Sequence, residues 1–102
     1  MKLIETLSEK ISEEICDAKS YAELAIENRE AHPDLAQTLY ELSVEEMGHM
    51  SRLHASVAEI IEQYRKTNGE PPASMLAVYD YLHKQQIGKA AEAKAMQELF
   101  KG

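Results

Sequence analysis

Apolar residues recur along this chain at alternating steps of three and four, the period of an α-helix that buries one face. Near the start the repeat holds Ile4, Leu7, Ile11, Glu14, Ala18, Tyr21 and Ala25, apolar except for Glu14. In the middle it holds Leu35, Leu39, Leu42, Glu46, His49, Leu53, Val57 and Ile60, apolar except for the adjacent members Glu46 and His49. Strong helix breakers fall in three places only: 32-HPD-34, 67-TNGEPP-72 and the terminal Gly102. No stretch alternates with a period of two, β-branched residues do not cluster, and no hairpin turn is present, so strands are excluded. The pattern predicts three helices over roughly 2–30, 34–67 and 72–100. Pro33 and Asp34 suit a helix start, Asn68-Gly69 a left-handed stop, and Pro71-Pro72 a new first turn. Gly48 and Gly88 lie inside helical pattern and cost ~1 kcal/mol each relative to Ala. The short first break predicts that the first two helices form an antiparallel hairpin, with the third helix added to it.

Length and charge narrow this further. A chain of 102 residues makes one all-α domain over 1–102, large enough for a core and too small for two. The formal net charge of −7 leaves no electrostatic footprint for nucleic acid and disfavours an anionic membrane surface. The opening MKLIETLSEK has no apolar leader core, and no apolar run is long enough to span a bilayer. A cytoplasmic protein is expected. The single cysteine, Cys16, excludes an intrachain disulfide and a CxxC motif, and is expected to be an inert, buried or half-buried thiol.

Three ionisable residues on two apolar seams then require an explanation. An unpaired carboxylate in a dry core is costly, and it either neutralises or finds a partner. In an antiparallel hairpin Glu14 lies roughly 19 residues before the break, and Glu46 and His49 lie roughly 12 to 15 after it, an axial mismatch of about 6–10 Å that tilt or an offset turn must absorb. A carboxylate from one helix would then face a Glu-x-x-His from the other. Oxygen and imidazole donors suit iron, manganese or zinc. Metal-free, the same residues form a polar Glu-His pair at a helix interface, and a modest rotation would exchange Glu14 for Glu13.

Other chemistry-bearing residues read more plainly. Asp17 is a solvated flank, and Tyr21 is an amphipathic core residue whose hydroxyl is paired. The stretch 80-DYLH-83 imitates Glu-x-x-His, but Val78, Tyr79 and Leu82 are expected to take the core side. His32 and His54 are expected at a cap or on the surface. Met47, Met50, Met75 and Met96 read as core or subunit interface. The tail 89-KAAEAKAMQELFKG-102 is amphipathic through Met96, Leu99 and Phe100. A zinc-hydrolase HExxH motif is absent.

The segments 14-EICDAKSY-21 and 46-EMGH-49 resemble the ferritin-like family, in its rubrerythrin-type and encapsulated-ferritin branches. There a ligand Glu is followed seven residues on by Tyr and about 30 residues on by Glu-x-x-His. The resemblance covers about 60 residues, the first two helices. It implies that Glu14 is a terminal ligand, that Glu46 bridges two metals, that His49 caps one of them, and that Tyr21 lies near the site. The second Glu and second Glu-x-x-His of the family are missing. That departure implies the encapsulated-ferritin arrangement, in which each of two subunits donates a hairpin to a four-helix bundle and the metals sit on the two-fold axis.

The expected function is accordingly a small ferritin-like metal-binding protein, a homodimer or higher even-numbered oligomer. Its di-iron carboxylate site would be shared between subunits, with manganese or zinc as alternatives, and oxidation of Fe(II) by O₂ or peroxide is the implied chemistry. The alternative is a metal-free acidic helical interaction protein, with Glu14, Glu46 and His49 as polar specificity devices in a dimer seam.

Overall fold

The structure is a computed structural model and describes residues 2–102. It contains three helices: α1 (Lys2–Asn28), α2 (Pro33–Asn68) and α3 (Ala73–Lys101). All three lie within a few residues of the bounds the apolar period predicts. Pro33 occupies the first turn of α2, where the missing N–H costs nothing. Gly69 ends α2 at φ +78° and donates its N–H to Arg65 O at 3.1 Å. The Pro72 carbonyl accepts the first amides of α3, from Met75 and Leu76.

The helices form an elongated bundle, 56 × 19 × 18 Å. Cross-helix pairs set their directions. Ser43 meets Ala18 and His49 meets Glu14, so α2 runs antiparallel to α1. Gln86 meets Ser8, Lys19 meets Glu92, and Arg29 meets Leu99, so α3 runs parallel to α1. Helix α1 is the shared partner. It packs extensively on both neighbours, whereas α2 and α3 touch each other sparsely.

The core changes character along the axis. At the end away from the first turn it is an aliphatic cluster of Ile4, Ile11, Ile15, Val57 and Ile61, with Leu7, Met50, Leu53, Ile60, Tyr79 and Ala90 against it. Towards that turn it is lined by Ala18, Ala22, Ala25, Ala36 and Ala93, all fully buried. Small side chains let backbones approach closely, and a polar chain uses that approach. Gln97 Nε2 donates to Ser43 Oγ at 2.8 Å, and Ser43 Oγ donates to Ala18 O at 2.6 Å. One buried hydroxyl therefore ties all three helices together.

The expected seams need correction. The buried stripe of α1 is Ile4, Ser8, Ile11, Ile15, Ala18, Ala22 and Ala25. Leu7, Glu14 and Tyr21 are half-buried at its edge, because α1 has two neighbours and its buried centre turns towards the bisector between them. On α2 the buried positions are Ala36, Ser43, Val57 and Ile61. Leu35, expected on the seam, is 48% exposed one residue off that line, and His49 is also exposed. Cys16, expected to be buried or half-buried, is exposed. Val78, expected on the core side of α3, is exposed, while Tyr79, Leu82 and His83 are half-buried.

Candidate metal centre

Glu14, Glu46 and His49 come together. Each offers a donor atom that lies within 4.8 Å of the other two. His49 Nδ1 is 3.4 Å from Glu14 Oε2 and 3.9 Å from Glu46 Oε1. Helix geometry accounts for the second distance, since residues three apart share a face. The hairpin accounts for the first. The Ser43–Ala18 and His49–Glu14 pairs are both centred on residues 29–32, the turn between α1 and α2. Counting from that apex rather than from the helix break removes the axial mismatch expected from sequence. Glu13, the neighbour that a rotation would have brought in, is exposed and pairs with Lys10 at 3.4 Å.

The cluster sits at the edge of the α1–α2 seam. The side chains of Glu14, Glu46 and His49 are 25%, 19% and 54% exposed. A shallow cleft beside Glu14 and His49 has walls of these two with Arg52, Leu53 and Ser56. Arg52, which the sequence pattern does not single out, brings to that cleft a charge opposite in sign to the two carboxylates. Tyr21 is half-buried on the same flank of α1 as Glu14 but two turns further on, roughly 10 Å along the axis, and it is not part of that cleft.

One atom marks the cluster as unfinished. Glu14 Oε2 is buried and has no hydrogen-bond partner. Buried polar atoms are nearly always paired, and an orphaned carboxylate oxygen is a costly exception. The His49 ring nitrogen lies close enough for charge attraction but does not form a hydrogen bond with it. A cation held jointly by the three side chains would satisfy that oxygen. The donor set, two carboxylates and one imidazole, fits iron, manganese or zinc.

The flank of the hairpin around the cluster carries exposed and half-buried apolar residues among exposed charged ones, Lys10, Asp17 and Arg52. Leu3 and Leu24 on α1 and Leu35 on α2 are exposed, and Leu7, Tyr21, Leu42 and Leu53 are half-buried. By helical position these apolar residues, Leu24 excepted, lie on the side of α1 and α2 that carries Glu14, Glu46 and His49. Helix α3 binds the opposite flank of α1, through Ser8, Ser12 and Lys19.

The other sequence candidates fall elsewhere. His32 is an exposed residue at the start of α2. Asp80 is exposed, and His83 faces His54 and Tyr79. His54, expected on the surface, is half-buried and faces His83 of α3. Met47, Met50, Met75 and Met96 are half-buried. Phe100 stacks on Tyr40 with ring centres 5.1 Å apart, so the amphipathic tail closes on its own chain. Among the described residues, no helix is long and apolar enough to cross a membrane.

Comparison with protein-family models, with curated proteins and with solved structures finds no match to this chain.

Proposed function

We propose that this chain is a ferritin-like metal-binding protein whose Glu14, Glu46 and His49 form half of a carboxylate-bridged di-iron site. The other half would come from a second copy across the open flank of the hairpin. The buried Glu14 Oε2, which has no hydrogen-bond partner, carries the metal reading. The exposed Leu3 and Leu35, on the cluster side of the hairpin towards its two ends, support the apposition of a second copy. A two-fold axis there would double the donors to four carboxylates and two imidazoles, and would turn two hairpins into a four-helix bundle.

The resemblance to ferritin-like proteins supplies the roles. Glu46 would bridge the two ions, Glu14 would be a terminal ligand from α1, and His49, at the exposed rim, would supply nitrogen. Iron bound there would supply one-electron redox chemistry, with Fe(II) as substrate and O₂ or peroxide as oxidant. The surrounding leucines would exclude bulk water once the flank is covered.

The test is elemental analysis of untagged protein after Fe(II) loading in air, with the solution mass recorded and Glu46→Ala beside it. The expected outcome is about one iron per chain, on an even-numbered assembly, lost in the variant. Metal at background in both proteins overturns the proposal. It would leave a second reading, favoured by the position of His49 between two carboxylates: a polar pair in the seam of a metal-free helical dimer. In that case Glu46→Ala lowers stability. Under the metal reading it relieves carboxylate repulsion in the metal-free protein and stability holds or rises.

A further inference from the structure

Outside that cluster, a second pair of metal-ligating side chains meets across the bundle. His54 Nε2 of α2 and His83 Nδ1 of α3 are 3.2 Å apart, with the two rings stacked at 4.6 Å between centres. Tyr79, one turn before His83, stacks on it as well, with centres 5.9 Å apart. Both imidazoles are part-buried, and they come from the two helices whose backbones touch least.

The separation of the two nitrogens is informative. An ion with metal–nitrogen bonds of about 2.0–2.1 Å and tetrahedral angles holds its nitrogens roughly 3.3–3.4 Å apart. The His54–His83 separation is within a few tenths of an ångström of that edge. In the metal-free pair, one ring nitrogen donates its N–H to the lone pair of the other. Moving that proton to the donor ring's other nitrogen frees a second lone pair, with no net proton lost.

There is room for the rest of a coordination shell. A cavity of about 270 Å³ adjoins the pair and is lined by Ile11, Ile15, Met50, Ser51, Gln86 and Ile87 together with the two histidines. A water occupies about 30 Å³ in the liquid, so the two open positions of a tetrahedral ion fit there as waters. Ser51 supplies a polar wall. No carboxylate lines the cavity. An all-imidazole protein set favours zinc, copper or nickel over iron(II) or manganese, the opposite preference from Glu14 and Glu46.

We propose that His54 and His83 form a second metal site, for zinc or a similarly nitrogen-preferring divalent ion, that clasps α3 to α2. It does not depend on the iron-site proposal, because it shares no residue with that cluster.

The test uses zinc alone, titrated at pH 7.5 into the full chain carrying Glu14→Gln, Glu46→Gln and His49→Gln, which removes the donors of the first cluster. About one zinc ion binds per chain, and adding His83→Gln weakens binding at least tenfold, a loss that even the outer partners of metal ligands produce. Equal zinc affinity with and without His83 overturns the proposal. A parallel experiment needs no substitution at the pair and guards against misfolding of the variant. Zinc added to the intact protein shifts the ring resonances of His54 and His83 in proportion to added ion, while His32 stays in place. Unmoved His54 and His83 resonances at saturating zinc overturn it equally.

Discussion

His49 Nδ1 stands 3.4 Å from Glu14 Oε2, across a seam that joins residues from two helices, and that carboxylate oxygen is buried without a hydrogen bond. The pair combines a strong donor for metal ions with a polar group that the protein alone leaves unsatisfied. Such an arrangement makes ligand affinity and metal-free stability respond differently to the same substitution.

Glu14→Gln separates the two. Removing the charge weakens iron binding at least tenfold, while the stability of the metal-free protein changes by less than about 1 kcal/mol, because no hydrogen bond is lost at the orphaned oxygen. Iron titration and urea unfolding of the same preparation check both halves. A metal-free protein destabilised by about 2 kcal/mol or more would mean that Glu14 serves the fold instead.

The uncovered hairpin flank makes a prediction about assembly. Leu35 is 48% exposed next to the first turn, on the side that carries the cluster. Leu35→Glu puts a charge into the proposed interface, so the solution mass falls to that of a single chain and iron loading falls with it. Helix content is unchanged, because the side chain contributes little to the core of one chain. Light scattering and circular dichroism on the same sample decide the matter. A mass unaltered by the change would place any interface elsewhere.

Ser43 is small, yet it should matter as much as a core aliphatic. It donates to Ala18 O and accepts from Gln97 Nε2, all within a buried, alanine-lined section. Ser43→Ala leaves both partners unsatisfied and costs about 1–3 kcal/mol in urea unfolding. Adding Gln97→Leu removes one orphan, so the double variant should be more stable than the sum of the two losses.

Arg29 closes the far end of α3. Its Nη1 donates to the carbonyls of Leu99 and Phe100 at 3.2 and 3.1 Å, groups that a helix leaves without internal partners. Arg29→Ala speeds amide exchange in the last turns of α3 and costs about 1 kcal/mol or less overall, since the residue is exposed. Exchange confined to residues 94–101 is the expected signature.

A pH dependence follows from His54. Its folded-state value is depressed below 6.5, first by burial and then by the charge of His83. The unfolded chain therefore binds the proton more readily. The stability that neutral His54 contributes is fully present above the unfolded value near 6.5, and is lost as pH falls through it towards the depressed folded value. With chelator present, the melting temperature drops between pH 7.5 and pH 5, and His54→Gln makes that drop smaller. An identical drop in both proteins would show that other groups carry the whole effect.

Much of this chain is legible without coordinates. Glu46 and His49 share a face because residues three apart on any α-helix do, and Glu14 follows once the hairpin is assumed. The axial estimate was off only because the turn is centred on residues 29–32. The flank of α1 that is buried was not legible. Positions 7, 14, 21 and positions 8, 15, 22 fit the same three-four repeat, and the choice between them depends on where a second neighbour sits.

Helix ends, helix number and the meeting of Glu14 with Glu46 and His49 are local consequences of breakers, periodicity and a short turn, and one strand of text suffices to derive them. The placement of α3 is not local. It rests on long-range packing against α1, and it alone brings His83 to His54, Gln97 to Ser43 and Arg29 to the end of the chain, while leaving the flank with Glu14, Glu46 and His49 uncovered. Periodicity states that a helix has a buried face, but contacts between residues dozens of positions apart determine which neighbour fills it.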